Sequence, residues 1–258
     1  MFPAMISSVE MMLERWKSYE GKEVEVFEEF RLLTSEVPWP QAHHDANDSQ
    51  RISVDDLVDE CKTFYVAGQE TTNSLLAWTV FLLATHPDWQ EEVRKKVLNL
   101  FGHENPNPEG IAKLQIMDKV FNESMRLYPP LTASVRNIGR EVRQGKLILP
   151  SILNIYIARL SVHHDPQIWG EDVNQFKPER FSEGVAEATK NNPAAFSPFG
   201  MGPRNCVGNN FAMMEAKIAL SMVLQHYPFT LCPTYIHLPV LHITLRPRHG
   251  IQLITRPL

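Results

Sequence analysis

A mainly α-helical domain with a small β-sheet is the fold class this chain predicts, and three features of the sequence predict it. Apolar residues recur at helical spacing over long stretches between residue 5 and residue 127, and again over 207–225. β-like alternation is confined to 131–157 and to the residues after 225. Between them, 163–200 is rich in proline and glycine and reads as irregular surface chain.

In order, residues 5–36 form one or two amphipathic helices interrupted near Gly21. Pro38 to Ser49 is a polar, proline-bearing loop. Ser53 with Asp56 is the signature of a helix N-cap, and the helix it opens runs to Thr85, where His86-Pro87 stops it. At about 1.5 Å per residue such a helix crosses a whole domain. Asp88–Leu100 is a further helix, closed by Gly102, and Gln115–Leu127 another, ended by Tyr128-Pro129-Pro130. Short strands follow, then the irregular segment, a helix over Val207–Gln225 and a terminal hairpin.

Composition narrows the function classes. The chain has 258 residues, 43% of them hydrophobic, which suffices for one sizeable core. A net charge of -5 gives no basis for nucleic-acid binding. Cys61, Cys206 and Cys232 are odd in number and far apart, against a disulfide framework. No apolar run approaches the roughly 18 residues of a membrane helix. His43-His44 and His163-His164 are adjacent pairs that diverge on any regular element, and they read as solvated loop residues. Met11, Met12, Met213 and Met214 read as core.

The chemistry concentrates at Phe199-Gly200-Met201-Gly202-Pro203-Arg204-Asn205-Cys206-Val207-Gly208, a cysteine on a glycine-rich loop entering a helix. Gly202 and Gly208 lack Cβ atoms, so backbone can lie close under a flat ligand. Helix-start amides and the positive end of the helix dipole favour a thiolate, and Arg204 is placed to fork onto a carboxylate. The same residues also fit a buried free cysteine beside a tight turn.

Three other constellations accompany that loop. Ala67-Gly68-Gln69-Glu70-Thr71-Thr72 lies inside the long helix. Gly68 costs roughly 1 kcal/mol there against alanine, which makes sense where something large approaches the backbone. Thr71 is placed either to bond back to the carbonyl four residues earlier or to present its hydroxyl to a ligand, with Glu70 as a proton relay; a plain helix crossing fits equally. Glu123 and Arg126 share a helical face, and Arg180, in Pro178-Glu179-Arg180-Phe181, is a possible third member of a charged network. Arg136 is either a surface strand residue or a second carboxylate clamp.

These motifs, in this order and spacing, resemble the cytochrome P-450 haem-thiolate monooxygenases. The stretches FNESMRLYPP and SPFGMGPRNCVGNNFAMMEAK are most similar to the plant clan that includes secologanin synthase and brassinosteroid-inactivating hydroxylases. The resemblance covers 52–258 continuously and also 1–37. It implies haem b as cofactor, Cys206 as axial thiolate and metal ligand, and Arg204 and Arg136 on the haem propionates. Phe199 is then beside the sulfur, Gly202, Gly208 and Gly68 make room, and Thr71 with Glu70 delivers protons to iron-bound dioxygen. Glu123, Arg126 and Arg180 become a structural network. It further implies electrons from NADPH through an NADPH-cytochrome P-450 reductase, a small lipophilic terpenoid- or steroid-like substrate, a monomer, and the cytosolic face of the endoplasmic reticulum membrane for full-length members.

Family members are about twice as long. The expectation is one incomplete domain: 1–37 an upstream helical segment, 38–52 a polar loop at a deletion junction near Val37-Pro38, and 53–258 the oxygen-activating helix through the thiolate loop to the terminal hairpin. Residue 1 falls past the anchor, the amino-terminal sheet and a helix that contacts haem, and the stretch missing at the junction roofs the substrate pocket. Two other readings accompany the monooxygenase: a non-catalytic fragment without stable haem, and a haem-thiolate isomerase or dehydratase. Thr71 beside Glu70 argues against the second of these.

Overall fold

The computed structural model describes residues 1–36 and 54–256. The loop expected over 38–52, the Val37-Pro38 junction, His43-His44 and the Ser53 cap lie outside the described residues, as does the side chain of Asp56. Helices dominate, as composition and periodicity predict.

Helix α1 (Phe2–Trp16) starts at a proline in its first turn and buries Met5, Val9, Met12, Leu13 and Trp16 along one stripe. Gly21 turns the chain at φ 71°, and its amide donates to Thr255 O at 3.0 Å. Strand β1 (Glu23–Glu25) then pairs antiparallel with the last strand, β9 (Gln252–Thr255), which pairs on its other side with β6 (Phe229–Leu231). Three residues are too few for alternation to register, so this strand is absent from the sequence reading. The Glu25 carboxylate accepts from Phe27 N at 2.9 Å and Glu28 N at 2.8 Å, capping α2 (Val26–Glu36), and from Ile251 N at 2.7 Å. Gly250 stands at φ 70°, in the left-handed region that favours glycine, and a Cβ there would also crowd the Glu25 side chain. The upstream segment is thus sewn to the carboxyl end.

Helix α3 (Val54–Thr85) is 32 residues long. Its second half is buried on every side, with Leu76, Ala77, Trp78, Val80 and Leu83 at 0% exposure. Its first turns differ: Val58, Phe64, Tyr65 and Val66 are exposed. Gln69 Nε2 donates to Arg31 O and Thr34 Oγ1 to Gln69 O, locking α2 against α3. Pro87 opens α4 (Pro87–Phe101), and Gly102 closes it. A short α5 (Pro108–Lys113), capped by the Asn107 side chain, was not foreseen. Helix α6 covers Gln115–Leu127 as its periodicity predicts.

The 131–157 region forms nested antiparallel pairs: β2 (Ser134–Asn137) with β5 (Asn154–Ile157), and β3 (Val142–Gln144) with β4 (Leu147–Leu149). Short helices α7 (Arg159–His163), α8 (Pro166–Trp169) and α9 (Gly184–Ala188) punctuate the irregular segment. Helix α10 (Asn209–His226) precedes β6, and β7 (Pro239–Leu241) pairs with β8 (Leu245–Pro247). Trp78 Nε1 and Ser74 Oγ both donate to Leu245 O, at 2.8 and 2.6 Å, fastening that hairpin to α3. The small sheet is therefore one three-stranded piece and several two-stranded ones.

The irregular segment is held by charge. Arg126, 0% exposed, forks onto Glu123 through Nε at 2.7 Å and Nη2 at 2.8 Å. Its Nη1 donates to Val173 O at 2.7 Å and His163 O at 3.1 Å. Glu123 also accepts from Lys177 N and lies 3.4 Å from Arg180 Nε, whose other nitrogens donate to Trp169 O and Asp172 O. Arg180 does join the network, and residues 163–181 are pinned to α6 by it.

Two sequence expectations are corrected. His163 and His164 are not solvated. His163 is fully buried; its Nε2 accepts from Ser197 N, so its Nδ1 donates to Met125 O, and His164 Nε2 donates to Leu127 O at 2.9 Å. The carbonyls at the end of α6 need donors, and these rings supply them. Of Met11, Met12, Met213 and Met214, only Met12 is core: Met11 is 48% and Met214 38% exposed, and Met213 is partly buried, because each helix here leaves one face uncovered.

Burial depresses the His163 pKa to about 3. Its folded value lies below the unfolded one, so its contribution is present above pH 6.5 and is lost as pH falls from there through 3. Burial instead pushes Glu215 up to about 8, so its contribution is full below pH 4.5 and lost as pH rises through 8. Between about pH 6.5 and 4.5 the two slopes oppose each other, so the readout is a difference: the melting temperature of the parent is expected to fall relative to that of His163→Gln as pH is lowered from about 7.5 to 4. Equal slopes in the two proteins would contradict the assignment.

Candidate functional site

The cysteine loop is a closed unit. Cys206 N donates to Phe199 O at 2.8 Å, while Phe199 packs partly buried against the core. Between them Gly200 and Gly202 stand at φ 79° and 74°, in the left-handed region that favours glycine. A single 3-10 turn, Gly202–Arg204, aims the chain at α10. Gly208 is different: at φ −87° any residue would fit, but a Cβ there would stand 3.9 Å from Cys206 Sγ. Its absence keeps the space beside the sulfur open. Gly200 has the same backbone requirement as Gly202.

Cys206 is exposed and reduced, two residues before the Gly208 N-cap of α10, where the helix field favours a thiolate. It is not the buried structural cysteine that its sequence context also allowed. Val207 beside it is 85% exposed. Arg204 is exposed and makes no hydrogen bond or ion pair with any described residue. A thiol and a guanidinium with nothing to bind, on one rigid loop, fit a ligand that offers both a metal and a carboxylate.

A second cluster lies on α3. Thr71 Oγ1 donates to Ala67 O at 2.6 Å, the back-bonded option, and its lone pairs stay available as acceptors. Glu70 Oε2 accepts from Thr244 Oγ1 at 3.3 Å. Glu70 and Thr71, with Val66, Ala67, Leu131, Ile243 and Thr244, line a cavity of about 530 Å³ whose walls are chiefly apolar. Gly68 belongs to the same turns of α3. Cys206, Arg204 and Arg136 are not among the cavity's lining residues.

Arg136 stands exposed on β2, its Nη1 donating to Val135 O at 3.2 Å. Near it is a residue the sequence reading missed. Arg159, first residue of α7, is 5% exposed, donates from Nη1 to Leu131 O at 2.5 Å, and leaves Nε without a partner. Burial and the charge of Arg136 both lower its pKa. The signal was an arginine inside the apolar run Ile155-Tyr156-Ile157-Ala158-Arg159-Leu160. Asn73, 0% exposed on α3 with both side-chain polar atoms unpartnered, was also missed. Glu123, Arg126 and Arg180 meet one another in the structural network and line no part of the cavity.

Comparisons with known proteins agree with this architecture. The model of the family described as cytochrome P-450 matches residues 31–254. Cytochrome P-450 CYP749A22 of Panax ginseng is 44% identical over an alignment of 346 positions, covering all of this chain and 66% of the relative. That alignment is longer than the 258 residues here, so the relative has stretches with no counterpart in this chain. An 11-oxo-beta-amyrin 30-oxidase of Glycyrrhiza uralensis is 48% identical over 210 residues, 81% of this chain and 40% of the relative. The haem domain of an engineered cytochrome P-450, solved by crystallography, superposes with a TM-score of 0.89 at 21% identity, covering all of this chain and 72% of its own. Among the described residues no helix is long and apolar enough to cross a membrane. The helix-rich core, the thiol loop leading into α10, the buried Glu123–Arg126 fork and the family match over residues 31–254 converge on one conclusion: the chain belongs to the cytochrome P-450 family.

Proposed function

We propose that this chain carries the haem-binding face of a plant monooxygenase that inserts one oxygen atom from dioxygen into a lipophilic, triterpenoid-like substrate. The observation that carries this reading is the Cys206 loop: an exposed thiol at a helix entry, with an unpaired Arg204 beside it and two glycines in the left-handed region. The relatives of Glycyrrhiza uralensis and Medicago truncatula are named as oxidases of 11-oxo-beta-amyrin, and the substrate class rests on them. For the full-length protein we place electron supply with an NADPH-cytochrome P-450 reductase and the site at the endoplasmic reticulum membrane, as the family implies.

Haem ligated by a thiolate supplies the oxidising power, because the sulfur pushes electron density to iron. The residues have the following roles. Cys206 Sγ would hold the iron, and the α10 amino terminus favours the sulfur as the anion. Arg204 and Arg136 neutralise the two propionates. Phe199 would pack near the sulfur. Thr71 Oγ1, already donating to Ala67 O, would accept a hydrogen bond from a proton donor on the cavity side, and Glu70 would supply the proton. The apolar cavity beside Thr71 is the remnant of the substrate side.

Activity needs the stretches present in the Panax ginseng relative and absent here. A chimera with those stretches restored, given NADPH, reductase and a triterpenoid, is expected to form a hydroxylated product. Thr71→Ala in the chimera should consume NADPH at a similar rate with product down by roughly 10²-fold, the lower end of what a positioned proton donor contributes. Unchanged product per NADPH would reduce Thr71 to a packed helix residue.

A further inference from the structure

Arg159 is a buried charge that nothing among the described residues explains. Buried arginines are paired as a rule, because an uncompensated ion in the interior keeps its full desolvation cost. Arg159 is 5% exposed, yet it pairs with no carboxylate among the described residues. One nitrogen reaches Leu131 O, and Nε, buried, reaches nothing. The charge it feels is that of Arg136, of the same sign. Two cations held near each other without an anion describe a site built for one.

The surrounding fold says where that anion belongs. Arg136 is on β2 opposite Ile155 of β5, and Arg159 follows directly after β5 as α7 begins, so both ride on the same strand pair. The backbone of α7 is tied to the same segment, with Leu160 N donating to Thr132 O at 2.9 Å. Leu131, whose carbonyl Arg159 grips, lines the same cavity as Glu70 and Thr71. The cation pair therefore borders the face where the cofactor is proposed to lie. The other claimant for Arg159, a purely structural tie between α7 and the Leu131 carbonyl, needs no charge and leaves Nε unexplained.

We infer that Arg159 is a haem-binding residue of this chain, the buried partner of Arg136 in a two-cation clamp that receives one carboxylate of the cofactor. The inference rests on the haem reading proposed above. Arg136 meets the carboxylate from the solvent side, and Arg159 supplies its vacant Nε–H from within. The same residue then fixes the Leu131 carbonyl, so cofactor seating and the shape of the cavity wall are coupled through one side chain.

The test is a titration of the 258-residue chain, followed by absorbance, with haemin and with haemin dimethyl ester, whose carboxylates are blocked. Arg159→Leu should weaken haemin binding roughly 10- to 100-fold, the worth of hydrogen bonds to a charged group, and leave the dimethyl ester unchanged. Arg159→Lys should recover part of the haemin affinity and none of the fork. Circular dichroism confirms that the variants are folded; should Arg159→Leu unfold, Arg159→Lys and the contrast between the two porphyrins in the parent chain decide. Equal losses for both porphyrins in Arg159→Leu, or no loss for either, would overturn the clamp. If the parent chain binds haemin with a thiolate spectrum but no more tightly than the ester, the clamp fails and the haem reading stands. If it binds neither porphyrin, the haem reading fails and takes the clamp with it.

Discussion

Arg126→Leu is expected to cost about 3–5 kcal/mol of stability, the range for breaking a buried ion pair by removing one partner. The substitution leaves Glu123 charged at 0% exposure and strips donors from the carbonyls of His163, Val173 and Gln175. Trp169 also loses the guanidinium 5.3 Å from its ring centre. Against a typical domain stability of about 5–15 kcal/mol, that leaves little in reserve. Arg126→Lys should not restore it, since an ammonium cannot fork onto Glu123 while reaching three backbone carbonyls. The measurement is the urea midpoint, with Lys119→Ala as the comparison. Lys119 makes an exposed bond to Ser182, and its loss should stay within about 0.5 kcal/mol. A shift for Arg126→Leu below about 1 kcal/mol would show that residues 163–181 are held by packing alone.

Cys206→Ser is expected to have the largest effect on cofactor binding. A hydroxyl at this position is not ionised at neutral pH and gives iron no anionic ligand. The loss of haemin affinity should exceed the roughly 10- to 100-fold that removal of an outer-shell partner costs at a metal site. Fold stability should hardly change, because Cys206 is exposed and its sulfur fills no part of the core. Cys61→Ser and Cys232→Ser are the controls. Cys61 is exposed on the first turns of α3, and Cys232 is buried with Sγ 3.3 Å from Glu23 Oε2. Both should bind haemin as the parent chain does. A comparable loss in either control would remove Cys206 from its assigned place.

The helices were legible because each carries its own punctuation: Pro87 after His86, Gly102 after Phe101, Pro129 after Tyr128. The Glu123–Arg126 fork was legible from spacing, but its burial was not, since nothing local reveals that Val173 and His163 return to cover it. The same long-range packing explains why His163 and His164 were misread. Adjacent histidines look like loop residues until the carbonyls of Met125 and Leu127 are seen beside them. Strand β1 was invisible because its pairing partner lies more than two hundred residues away. Within the candidate site, the glycine loop and Thr71 carried motif signals. Arg159 and Asn73 belong to no motif: Arg159 is marked only by its apolar neighbours, Asn73 lies in the polar run after Gln69, and burial without partners is what marks both out.

The exposed apolar residues bear on the expectation of an incomplete domain. Val66 and Leu131 line the open cavity, Phe64 and Tyr65 sit on the bare first turns of α3, and Val135, Tyr156 and Ile157 lie on the β2–β5 pair. Scattered exposed apolar side chains are ordinary, but a contiguous apolar wall marks a surface that other chain covers. Relatives such as that of Panax ginseng carry additional chain. We therefore expect the 258 residues alone to be poorly soluble and to turn over no substrate.

The central claim is that Cys206 presents a thiolate to haem iron in this chain. The most direct measurement is the absorbance spectrum of the haem-loaded, purified protein after reduction and exposure to carbon monoxide. The claim predicts the strongly red-shifted band of a thiolate-ligated complex, present in Cys61→Ser and Cys232→Ser and absent in Cys206→Ser. A band at the position given by neutral nitrogen ligation, or a red-shifted band that survives Cys206→Ser, would contradict it.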